Sequence, residues 1–75
     1  MIDTEALIAD HLYRIEIKRK SGAVTAYTGR FRKMSITKDG DDAVLLGMDG
    51  YSVRIDVALI TDVSPVNEEI AEAAV

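Results

Sequence analysis

From Tyr13 to Val63 the chain alternates apolar and polar residues, and glycines cut the alternation at short intervals. Tyr13, Ile15 and Ile17 share one phase; Arg14, Glu16 and Lys18 share the other. The pattern returns with Tyr51, Val53, Ile55 and Val57 against Ser52, Arg54 and Asp56. Period two means strands with one buried face and one wet face. Several such strands within about 50 residues specify a small twisted antiparallel sheet or barrel.

The elements follow from this pattern. Thr4 to His11 reads as a short helix: Asp3 or Thr4 can cap it, and Leu7, Ile8 and Leu12 make an apolar stripe. So short a helix must dock on the sheet to persist. Strand one is expected over 12–19, with Gly22 in the turn, and strand two over 23–33. In strand two Tyr27 and Phe31 are odd-numbered, while Val24, Met34 and Ile36 are even. That slip calls for a bulge or sharp bend, and Gly29 is its expected place. Further strands are expected over 43–48, 51–57 and 59–63, with Asp49-Gly50 as a hairpin turn. Ser35-Ile36-Thr37 ends the second strand or begins the next. Residues 67–75 read as an acidic, alanine-rich tail or short helix. The fold class is therefore mainly β: an N-terminal helix over 4–11, then a five-stranded, strongly bent antiparallel sheet or small barrel over 12–63. Residues 1–66 form one domain.

At 75 residues the chain is small enough to be marginal without good packing or self-association. It contains no cysteine, which excludes disulfides and thiolate metal sites and fits a reducing cytoplasm. No apolar run approaches a membrane span, and Asp3, Glu5 and Asp10 do not suit a signal peptide. The net charge is −4, but it is unevenly spread. Residues 14–38 carry eight basic groups against Glu16; residues 39–75 carry nine acids against Arg54. Strand one sets Arg14, Lys18 and Lys20 on one face, strand two sets Arg30 and Arg32 on one face, and Lys33 follows. If the faces of the two strands coincide, five cations lie on one side of a hairpin, and with Lys33 they are the expected binding face. The alternative is that later acidic strands neutralise them across the sheet.

Little else carries chemistry. His11 is the sole histidine and suits a helix end. Asp39-Gly40-Asp41-Asp42 has the start of a calcium loop, but Gly50 stands where the closing glutamate belongs, so it reads as a solvated turn. The serine and threonine hydroxyls lack a base and its orienting partner. The expectation is a non-enzyme without cofactor or metal. Its partner is expected to be a protein or a second copy, with nucleic acid as the alternative. Single-strand recognition wants exposed aromatics, and Tyr13, Tyr27, Phe31 and Tyr51 are mostly needed for the core.

A helix, five short strands and a bent second strand resemble the Sm-like small barrel of Sm proteins and Hfq. Met34-Ser35-Ile36-Thr37 stands where those RNA binders carry an Asp followed closely by an Asn. Gly22, Thr28-Gly29, Phe31 and the closing stretch Ile55 to Val63 resemble the YolD-like family more closely. That resemblance implies a non-catalytic accessory protein of an error-prone Y-family DNA polymerase. Ile15, Ile17, Gly22 and the Arg54-x-Asp56 element are also similar to the Rho-binding antiterminators. That likeness implies binding to the termination factor Rho through acidic residues.

Overall fold

The computed structural model describes residues 4–66. Five antiparallel strands form one sheet: β1 (Leu12–Lys18), β2 (Val24–Ile36), β3 (Asp42–Gly47), β4 (Ser52–Asp56) and β5 (Ile60–Pro65). Their spatial order is β4-β3-β2-β1-β5. The turns form where they were expected. Gly22 and Gly50 both hold positive φ, at 92° and 83°, which residues with a Cβ rarely adopt. Pro65 closes β5 on the sheet edge, where its missing N–H costs nothing.

β2 is 13 residues long and serves two neighbours. Its first half pairs with β1, from Lys18↔Val24 to Leu12↔Arg30. Its second half pairs with β3, from Arg30↔Gly47 to Ile36↔Asp42. The expected slip in facing is present, but its place differs. The register shifts between Phe31 and Lys33, so Arg32 is the extra residue, not Gly29. Before the bulge Phe31 faces the core with Leu46; after it Met34 lies opposite the buried Val44. Gly29 has a different task. A Cβ there would lie 2.5 Å from the Gly47 carbonyl oxygen and 2.8 Å from the Met48 sulfur. Glycine is needed at that position for close backbone approach.

The sheet is open, and β4 and β5 are its edges. Only the 3-10 turn Val57–Leu59 joins them. Four Cα steps span at most about 15 Å, while a flat five-stranded sheet separates its edges by about 19 Å. The sheet must therefore curl, and the connecting turn crosses against β3. Tyr13, Ile15, Ile17, Phe31, Val44, Leu46, Ile55 and Ile60 fill the concave side. Ile15, Val44 and Leu46 are fully buried. Tyr51 was expected among them by phase, but it sits beside the β3–β4 turn and is 61% exposed.

The N-terminal helix expected over 4–11 is not formed. Thr4–Ala6 makes a 3-10 turn, and the chain then runs irregularly into β1. The sheet takes the backbone groups that a helix would use. Asp10 N–H donates to the Phe31 carbonyl, and Phe31 N–H donates to the His11 carbonyl. Ile8 N–H donates to the Tyr13 hydroxyl. Asp10 has φ 67°, which a continuing right-handed helix does not allow. His11 thus sits in the entry to β1, not at a helix end. The expected tail or helix over 67–75 lies outside the described residues.

These contacts predict unequal costs for two glycine substitutions. Gly29→Ala drives a Cβ into the backbone of β3 and should cost roughly 1–3 kcal/mol, as overpacking does. Gly47→Ala meets only the Arg32 side chain, which can swing away at the loss of an exposed ion pair worth under about 1 kcal/mol. Urea denaturation should place the midpoint of Gly29→Ala clearly below that of Gly47→Ala. Equal midpoints would refute the close-approach role of Gly29.

Candidate interaction surface

Directly opposed residues in an antiparallel pair share a face. The register Leu12↔Arg30, Arg14↔Thr28 and Lys18↔Val24 therefore puts Arg14, Lys18 and Arg30 together on the convex face. Arg30 also lies opposite Gly47 of β3. The bulge lets Arg32 and Lys33 follow on the same side, with Lys33 opposite Leu45. Lys20 does not join this ladder; it lies in the turn between β1 and β2. Five of the six expected cations thus share one face, and the sixth stands at its end.

Three of the five are already engaged by oxygens of the chain itself. The Arg30 guanidinium donates to the Asp10 carbonyl at 2.8 Å. The Arg32 guanidinium donates to the Asp10 carboxylate at 2.8 Å. Arg14 lies 3.5 Å from the Glu16 carboxylate. Lys18, Lys20 and Lys33 have no ion pair among the described residues. Neutralisation therefore comes from Glu16 within β1 and from Asp10 before it. Among the described residues, neither ion pair joins a cation of the first two strands to an acid of a later strand. Glu16 in fact lies directly opposite Asp62 of β5, a like-charge pair. Arg14 offsets it, as do hydroxyl donations from Thr61 to Glu16 and from Ser64 to Asp62.

A shallow hollow of about 330 Å³ lies between this face and the β3–β4 turn. Leu12, Gly29, Arg30, Arg32 and Met48 are among its lining residues. Two guanidinium groups beside a glycine-lined floor can take an anionic or carbonyl-bearing group. Asp10 competes for both. Asp10 was not singled out from sequence as part of this face. It is 20 and 22 residues from its two arginine partners, a separation at which no periodic pattern operates.

In the turn after β2, the Thr37 hydroxyl accepts from the N–H groups of Asp39 and Asp41. The acidic run there is thus organised as a turn. Among the described residues no helix is long and apolar enough to cross a membrane.

Asp10→Asn tests the masking of the two arginines. Asparagine tolerates positive φ and keeps the backbone carbonyl, so only the carboxylate charge is lost. The Asp10 side chain is 76% exposed, and such a pair contributes less than about 1 kcal/mol. The variant should elute from immobilised heparin at higher salt than Asp39→Asn, which removes an equal charge from the β2–β3 turn. Equal elution would show that Asp10 does not mask Arg30 and Arg32. Comparison of the chain with protein-family models, with curated proteins and with solved structures finds no match in any of the three.

Proposed function

We propose that the chain is a non-catalytic protein-interaction module built on an Sm-like curled sheet. On this reading it works in the cytoplasm, by contact with a protein partner or a second copy. The observation that carries the proposal is the combination of open strand edges with a basic face whose three arginines are engaged by the chain itself. An open edge offers unpaired N–H and C=O groups to another chain. Arg14, Arg30 and Arg32, by contrast, already hold Glu16 and Asp10. The strand order, the bent β2 and the three-residue link between β4 and β5 support the Sm-like reading. The spacing of Gly22, Thr28-Gly29 and Phe31 supports a YolD-like accessory role beside an error-prone DNA polymerase.

One observation favours a second reading, binding of RNA or single-stranded DNA. Tyr51 is exposed on the same hairpin as the hollow-lining Met48 and Asp49. An exposed aromatic beside cations is what single-strand binding uses. Salt separates the two readings, because affinity for nucleic acid falls steeply as salt rises. The expected result is no gel shift of mixed single strands at micromolar protein and low salt, with capture of a Y-family polymerase from damage-treated cells. A salt-sensitive shift that Tyr51→Ala abolishes would replace the first reading by the second. Capture of Rho instead of a polymerase would favour the antiterminator likeness.

A further inference from the structure

β2 is bonded on one side only along most of its length, and its second half has a distinctive composition. The β1 ladder runs out at Arg30. Asp10 and His11 extend it only as far as Phe31. On the other side of β2 the pairs Lys33↔Leu45 to Ile36↔Asp42 continue regularly. Thr37 N–H donates to the Asp41 carbonyl, so 37/41 is a bonded pair in this ladder. Alternation then makes 35/43 and 33/45 the other bonded pairs. It turns the N–H and C=O groups of Met34 and Ile36 away from β3, towards an edge that no described strand occupies.

The side chains of these two residues are also exposed, Met34 at 40% and Ile36 at 61%. Both lie on the concave face, in phase with the buried Val44. A free backbone edge with two uncovered apolar side chains, two residues apart, is a template for another strand.

We propose that this edge pairs with the same edge of a second copy, antiparallel, about a two-fold axis beside Ser35. Only this register uses every free group. Met34 lies opposite Ile36 of the second copy, and Ile36 opposite its Met34, as two hydrogen-bonded pairs. The four apolar side chains then meet on one face. Ser35 lies opposite its own counterpart as the central non-bonded pair. The charges agree. Lys33 of one copy falls beside Thr37 of the other, next to the acidic turn that holds Asp39 and Asp41. The one like-charge opposition in this register is Arg32 against Lys38 of the other copy's turn, and Asp10 engages that arginine at 2.8 Å. An isologous contact of this kind closes as a dimer and leaves β4 and β5 free. The inference specifies the self-association in the proposed function and rests on that reading.

Cross-linking tests the register, because the chain has no cysteine of its own. In a non-bonded antiparallel pair the Cα atoms are about 4.5 Å apart, within disulfide reach. Ser35→Cys should form a covalent dimer on mild oxidation. Lys33→Cys should not, because its counterpart in this register is roughly 13 Å away along the strand. By light scattering the wild-type chain should double in mass as concentration rises. The double variant Met34→Lys, Ile36→Lys should stay monomeric with an unchanged β-sheet circular dichroism spectrum. A wild-type dimer that survives both lysines, or that Ser35→Cys does not trap, overturns this edge while leaving self-association in place. A chain monomeric at millimolar concentration overturns both, and the protein-partner reading is then judged by capture alone.

Discussion

The fold depends on one strand being shared between two ladders. β2 cannot pair along its whole length with either neighbour, because β1 leaves it at Arg30 and β3 joins it there. The sheet must turn at that crossing. Glycine at 29 lets the Gly47 carbonyl come close, and the extra residue at Arg32 resets the facing so that Phe31 and Met34 both look inward. Without the bulge, Lys33 would take the inward place. Curling then brings β4 near enough to β5 for three residues to join them.

The same crossing organises the charged surface. The bulge places Arg32 beside Arg30 on the convex face, and both reach Asp10. Asp10 in turn is held by the Phe31 carbonyl through its own N–H. Backbone pairing, the positive φ at Asp10 and the two arginine contacts therefore describe one junction, where the N-terminal segment is fastened to the bend. The cost of the positive φ is spread over bonds that a helix would have had to break.

A chain this small leaves much of its hydrogen-bonding edge uncovered. Among the described residues each half of β2 has one side without a paired strand, and both outer strands are edges. Of the five convex-face cations, Arg14 and Arg32 face carboxylates and Arg30 holds a backbone carbonyl. Unpaired backbone and exposed Met34, Ile36 and Tyr51 are then the chemically unfinished parts of the surface.

The alternation of Tyr13, Ile15 and Ile17, the glycine turns and the phase slip in strand two determined the number of strands and most of the core. Those are local properties: side-chain period and backbone freedom are set by neighbouring residues. Which residue bulges, whether 4–11 coils into a helix and which oxygens hold the arginines were decided only in three dimensions. Thr4 to His11 has helical spacing, yet the Phe31 backbone and the Tyr13 hydroxyl offer its N–H and C=O groups other partners. A segment too short to keep a helix by itself takes the partners that the folded sheet provides.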